Sequence, residues 1–214
     1  LEGFKEKCEA AGVRHVECEM QGTPAEAILS ESNYFDCVVI GLRTFFTYES
    51  GSGEDNLYGT KEDIQGNSLE LVLDHSLAPV FAVPLDWEPV EGEFDVLIGI
   101  DGSINSLRSL RQFARLYGGT PANVTLLNCD ENELDAKELL GKSSGFLKSH
   151  GFNKITEDWR PLDVRKVITN EFVEPYDLIC MGAHAKKGVM DYFVGSVAKD
   201  LIEWAKKPLL IANG

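Results

Sequence analysis

No apolar run in this sequence is longer than a strand. The longest, such as Cys37 to Gly41 and Val80 to Val83, fall far short of the roughly 20 residues that carry a helix across a bilayer, so no transmembrane helix is expected. Positive charge is also scarce. Lys and Arg number 20 against 35 Asp and Glu, a formal charge of -15 over 214 residues. A field of that sign repels a polyphosphate backbone, and counterion release needs clustered cations, so general nucleic-acid binding is excluded. Cysteine is sparse and odd in number, at five, with no CxxC pair and no ligand cluster with the four histidines. These thiols read as reduced, with four of the five placed in strands as small apolar side chains, which disfavours a disulfide framework or a zinc site. The residues after Leu1 (Glu2, Lys5, Glu6, Lys7, Glu9) form a charged helical pattern rather than the apolar core of a signal peptide, so a cytoplasmic, non-membrane chain is expected.

With 43% hydrophobic and 26% charged residues, the chain has the composition of an ordinary globular protein. An internal repeat organises it. Asp36-Cys-Val-Val-Ile-Gly41 matches Asp177-Leu-Ile-Cys-Met-Gly182, an acidic residue, four apolar residues and a glycine. The stretch from Gly66 to Pro79 matches that from Gly195 to Pro208 with identical spacing, and an apolar strand follows each proline. Gly12 and Gly151 occupy matching places, each closing an amphipathic helix as a C-terminal cap. The expected division is a first repeat over 1–86, a linker over 87–93 within the proline-rich, acidic stretch Pro84 to Glu93, and a second repeat over 94–214. Leu1 already corresponds to about Leu140, so the first repeat lacks the opening strand, helix and strand of the second. A sheet without that central strand would keep an open edge, and further N-terminal residues are expected in the native protein.

In the second repeat, Phe94 to Ile100 is an apolar run with little alternation, the pattern of a parallel strand buried on both faces. Ser103 or Asn105 can cap a helix in which Leu107, Leu110, Phe113, Ala114 and Tyr117 recur at helical spacing. A strand from Asn123 to Cys129, a helix from Leu134 to His150, a short strand over Lys154 to Glu157, a helix from Asp163 to Phe172 and a strand from Tyr176 to Met181 follow. A last helix from Ser196 to Lys206 is closed by Pro208, which leads into the strand Leu209 to Ala212. Such alternation predicts an α/β fold, a doubly wound parallel five-stranded sheet with right-handed crossovers, present as two tandem repeats.

Open α/β sheets bind ligands beyond the carboxyl ends of their strands, where strand order reverses. Asp101-Gly102-Ser103 at the end of the first strand and Met181-Gly182 at the end of the fourth are therefore the candidates. The loop after Gly182 leads to Gly195-Ser196 at the mouth of a helix, where backbone N–H groups and a hydroxyl can receive an anion. Taken alone, this spacing is a weak signal.

The residues together are more specific. Val-Leu-Ile-Gly-Ile-Asp101-Gly-Ser103 and Met181-Gly182-x2-Ala185-x9-Gly195-Ser196-Val197 resemble the universal stress protein family. The resemblance covers the whole chain as a tandem form, complete in the second repeat and truncated in the first. It implies ATP or a related adenine nucleotide as ligand, with Mg2+ as an accompanying ion. It puts Asp101 and the backbone near Cys129 at the adenine side, Met181, Gly182 and His184 along the ribose and phosphate path, and Ser103 among the binding residues. Ala185, Gly195, Ser196 and Val197 would surround the phosphates. Ala185 departs from the family pattern, since its methyl group replaces a glycine at the phosphate approach. Lys186 and Lys187 offer compensating charge or simply a solvated face. The resemblance further implies that the two repeats pack as a pseudo-dimer through their last strands, with a homodimer as a larger assembly.

The first repeat departs further. Thr44 stands at the second glycine position, Asn67 replaces the serine, and the loop from Gly41 to Gly66 spans 25 positions against 13 for Gly182 to Gly195. Between 44 and 65 it carries Glu49, Glu54, Asp55, Glu62 and Asp63 against Lys61, a field that opposes a triphosphate. A surface flap is the expected role of that loop, with partner docking as its alternative. Other chemistry has little support. His184 has no partnered nucleophile in sequence, and His15, His75 and His150 are scattered. No Gly-x-Gly-x-x-Gly fingerprint follows the first strand, which disfavours a dinucleotide enzyme. The reading is a stress-response regulatory module that binds an adenine nucleotide, with a nucleotide-free interaction scaffold and a slow ATPase as alternatives. No catalytic residue and no metal ligand is assigned.

Overall fold

The computed structural model describes residues 2–18, 20, 23–42, 71–168, 175–183, 197–198, 201–202 and 207–213. In chain order these form α1 (Glu2–Ala10), α2 (Pro24–Ser32), β1 (Val38–Gly41), β2 (Val80–Val83), β3 (Phe94–Gly99), α3 (Ile104–Tyr117), β4 (Ala122–Asn128), α4 (Glu133–Ser149), β5 (Lys154–Trp159), α5 (Val164–Val167), β6 (Leu178–Gly182) and β7 (Leu209–Ala212). Residues 71–75 are also helical.

The strands form a single seven-stranded sheet in the order β1-β2-β7-β6-β3-β4-β5. Every neighbouring pair is parallel except β2 with β7. Strands β5-β4-β3-β6-β7 reproduce the expected doubly wound order, with strand order reversing between the parallel neighbours β3 and β6. The central strands are covered on both faces, so Val96, Leu97 and Ile98 are all fully buried. One face holds Val96, Ile98, Leu126 and Cys180 against α3 and α4 through Leu110, Phe113, Leu140 and Leu147. The other holds Leu97, Leu127, Ile179 and Ile211 against Val72, Leu73, Val167 and Leu201.

Local sequence accounts for the helix ends. Ser103 caps α3, its Oγ accepting the Ser106 N–H at 3.1 Å. Asn132 caps α4 by accepting the N–H groups of Leu134 and Asp135 at 3.1 and 3.3 Å. α4 stops as Gly151 turns to φ +93, with Gly151 N–H donating to Lys148 at 3.1 Å and Phe152 N–H to Leu147 at 3.2 Å. α1 stops in the same way at Gly12 (φ +66), where Gly12 donates to Glu9 at 3.1 Å and Val13 to Cys8 at 2.9 Å. The matched glycines thus carry the same C-terminal motif.

Register shows the same correspondence. Val38 pairs with Val80 and Gly41 with Val83 in β1/β2, as Ile179 pairs with Leu209 and Gly182 with Ala212 in β6/β7. The bond from Val38 N–H to Pro79 (2.9 Å) is repeated from Ile179 N–H to Pro208 (3.1 Å). Where β2 meets β7, Phe81 lies opposite Leu210, with Val80↔Ile211 and Ala82↔Leu209 on either side.

Several expectations are corrected. Cys180 is the one cysteine inside a strand among the described residues, because the ladders of β1 and β4 begin after Cys37 and stop before Cys129. Cys18 is exposed outside any strand. β5 runs to Trp159 rather than Glu157, since its pairing with β4 continues to Asn128↔Trp159. The loop 44–65, the end of the helix expected to reach Phe172, and most of the helix from Ser196 to Lys206 lie outside the described residues.

Phe113 is fully buried and centres an aromatic cluster, 5.4 Å from the Tyr117 ring and 5.0 Å from that of Phe152. Phe113→Ala should lower unfolding free energy by about 3–5 kcal/mol, read as a lower urea midpoint at unchanged m-value. A loss below about 1 kcal/mol would show that this cluster does not anchor α3.

Candidate functional site

The crevice beyond the β3 and β6 carboxyl ends is built from two short turns. After Gly99, Ile100 still belongs to the sheet, its N–H donating to Leu127 at 2.9 Å. The chain then turns at Asp101-Gly102-Ser103, with Gly102 at φ +77. Asp101 Oδ1 accepts the Ser103 N–H at 2.9 Å, while the Asp101 N–H donates to Ser106 Oγ at 3.4 Å. Ser106 Oγ in turn donates to the Ser103 carbonyl at 3.1 Å. Aspartate, glycine and two serines thus tie the β3 exit to the first turn of α3.

β6 meets the same turn from the other side. A methyl group built on Gly182 would stand 2.7 Å from Asn105 Cβ, from the Asn105 carbonyl carbon and from the Ser106 nitrogen. Glycine is therefore required there by close passage of the backbone, whatever else it does. Ala183 follows, donating its N–H to Ala212 at 2.9 Å and ending the β6/β7 ladder.

On the β4 side, Asn128 is a buried polar residue that sequence reasoning missed. Its Nδ2 donates to the Ile100 carbonyl at 2.7 Å, and its Oδ1 accepts the Asp130 N–H at 2.8 Å. Trp159 Nε1 donates to the Asp130 carbonyl at 2.8 Å. The signal was available as an asparagine closing an otherwise apolar run, since a buried amide must find partners for both ends. Asn105 and Ser106 were likewise missed as the surface against which Gly182 packs.

The structure brings together Asp101, Ser103 and Gly182. Met181 is 7% exposed and packs in the core on the sheet face away from α3. Cys129 and Val197 are partly buried against that same cluster. His184, Ala185, Gly195 and Ser196 lie outside the described residues. The Cys129 thiol is pushed up to about 11, by burial first and then by the Asp158 carboxylate, with Arg160 opposing and Asp163 reinforcing. Arg160 is itself engaged by Asp158, Nε to Oδ1 at 2.8 Å and a second nitrogen to Oδ2 at 3.1 Å. No group of three or more His, Cys, Asp or Glu able to hold a metal occurs among the described residues, and none of their helices is long and apolar enough to cross a membrane.

The sequence model of the universal stress protein family matches residues 166–213, from α5 to beyond β7. No curated protein matches the chain. Among solved structures, a universal stress protein from Archaeoglobus fulgidus DSM 4304 superposes with a TM-score of 0.72 at 18% identity, over 99% of this chain and 76% of its own. A functionally unknown protein from Pseudomonas aeruginosa PAO1 superposes with a TM-score of 0.57 at 12% identity, over 99% of this chain and 76% of its own. These likenesses show the fold.

Two outcomes are expected. Gly182→Ala should destabilise by about 1–3 kcal/mol, because its methyl must displace backbone atoms of α3; an unchanged denaturation midpoint would remove the close-packing account. Cys129 alkylation, followed by peptide mass spectrometry, should rise about tenfold per pH unit up to pH ~10, whereas a free cysteine of pKa about 8.5 levels off sooner. A plateau below pH ~9 would contradict the raised pKa.

Proposed function

We propose that this chain, a universal stress protein in its fold and in the sequence of residues 166–213, binds ATP or a related adenine nucleotide at the crevice where β3 and β6 end. It would act as a regulatory module of a stress response in the cytoplasm rather than as a dedicated catalyst. The observation that carries the reading is the meeting of the Asp101-Gly102-Ser103 turn with Gly182 at the reversal of strand order. There Asp101 and Ser103, with the backbone beside Cys129, would receive the adenine side. Gly182, followed by His184, Ala185, Gly195, Ser196 and Val197, would lead to the phosphates. Asp130, Asp158 and Asp163 leave this side of the crevice acidic, so a triphosphate is better accommodated with its charge reduced by Mg2+.

Residues 1–86 and 94–214 are read as two repeats joined by 87–93. The shared registers of β1/β2 and β6/β7, and their antiparallel seam at Phe81 and Leu210, support a pseudo-dimer of repeats.

A second reading, an interaction scaffold without nucleotide, is favoured by one specific observation. Gly182 is fully accounted for by packing on α3, and the flanking Met181 and Ala183 are 7% and 1% exposed. Calorimetric titration with ATP, with and without Mg2+, separates the two readings. Nucleotide binding predicts a micromolar dissociation constant, weakened about tenfold or more in Asp101→Ala at a retained melting temperature. Absence of heat at about 1 mM ATP would sink that reading and leave the scaffold.

A further inference from the structure

A cleft of about 390 Å³ lies between the middle of α3, the turn before β2 and the end of β7, where Ala212, the register partner of Gly182, also lines it. Arg108, Arg111 and Gln112 line it from α3, Leu77 and Pro79 from the turn, and Asn213 from beyond β7. Its volume falls within the about 300–1,000 Å³ typical of small-molecule sites. Three observations bear on what it could hold.

The first is charge. In a chain of net charge -15, two guanidinium groups three residues apart share one side of a helix and line one cleft. Arg115, a turn further on, is paired with Asp36. Arg108 and Arg111 have no carboxylate partner among the described residues. Among the described residues, Arg108 donates to the uncharged Asn213 carbonyl at 3.4 Å. Asp74 is joined to the lining as well, its carbonyl accepting from Asn213 Nδ2.

The second is an orphaned amide. Gln112 Oε1 is buried without a hydrogen-bond partner. In this amide orientation the protein leaves that buried acceptor without a donor. The third is the wall opposite the arginines, where Leu77 and Pro79 present carbon rather than polar groups. Bare inorganic anions gain nothing from such a wall, whereas a short carbon body does.

We propose that this cleft is a second binding site, for a compact organic anion. Its carboxylate or phosphate head would be held by Arg108 and Arg111, its hydroxyl or amine would meet Gln112, and its carbon body would lie on Leu77 and Pro79. Planar guanidinium groups suit both head groups, since each offers paired oxygens to a forked donor. Because Leu77 and Pro79 precede β2 while Arg108 and Arg111 lie after β3, the ligand would bridge the two halves of the chain across the β2/β7 seam.

The test uses the full chain with citrate, glycerol 3-phosphate and inorganic phosphate as calorimetric probes. One of the two organic anions should bind with a submillimolar dissociation constant, and which one does identifies the head group. Arg111→Ala and Arg108→Ala should each weaken it about tenfold or more, with Arg111→Lys in between. Arg115→Ala, checked like the others for a retained far-ultraviolet circular dichroism spectrum, should leave affinity within about twofold. No heat from either organic anion at about 10 mM would overturn the proposal. So would inorganic phosphate binding as tightly as both, or affinity unchanged in the Arg108 and Arg111 variants.

Discussion

The close passage of β6 under the first turn of α3 is the constraint on which the crevice depends. Parallel pairing of Leu97 with Ile179 and of Ile98 with Cys180 carries both strands to the same end of the sheet. The Gly182 backbone then lies where a side chain would strike Asn105 and Ser106. With a larger residue, α3 would have to lift from the sheet. The Asp101-Gly102-Ser103 turn, bonded into that first turn of α3, would move with it. One missing side chain thus couples strand packing to the shape of the strand-end crevice at which strand order reverses.

Register makes that coupling definite, and polar side chains pin it at both ends of β3. At the start, Asp177 Oδ2 accepts the Asp95 N–H at 2.9 Å, and Asn123 Nδ2 donates to Asp95 Oδ1 at 3.0 Å, so side chains join three adjacent strands near their first paired residues. At the far end, Asn128 bridges the Ile100 carbonyl and the Asp130 N–H. A slip of one residue would turn every apolar side chain of β3 to the wrong face. It would also leave these carboxylates and amides buried without partners, which costs more than the bonds contribute.

Much of this was legible in the sequence, and the reasons differ by element. β3 was readable because a parallel central strand is apolar on both faces, and α3 because Leu110, Phe113 and Ala114 recur at helical spacing behind a serine cap. The correspondence of Gly12 with Gly151 was readable because only glycine easily takes the positive φ of that stop. The cysteines were placed less well, because apolar character continues past the last paired residue and does not mark where a ladder ends. Asn128 was missed because its partners are the main chain of neighbouring strands, which leaves no trace in its own local pattern. Gly182 was found, but the place on the ribose and phosphate path that the family resemblance implies for it competes with a packing role that only three-dimensional contact reveals. The cleft on α3 left no motif at all. Arg108 and Arg111 look like an ordinary solvated face until Leu77, Pro79 and Asn213 arrive opposite them.

The seam between β2 and β7 gives these features a common frame. Val80 faces Ile211 and Ala82 faces Leu209, while within the repeat Val80 corresponds to Leu209 and Ala82 to Ile211. The pairing is therefore symmetric about Phe81 and Leu210, as in an isologous contact, although one chain supplies both sides. Antiparallel pairing satisfies the edge of each parallel half and lets residues of both share one core face, Val80 and Ala82 with Leu209 and Ile211. It also puts the turn before β2 beside α3, and so creates a cleft lined by both halves. A ligand there would oppose separation of the halves. A ligand at the crevice would act on the β3, β6 and α3 junction instead. α3 lines the cleft through its middle and meets the crevice through its first turn, so the two places share one helix.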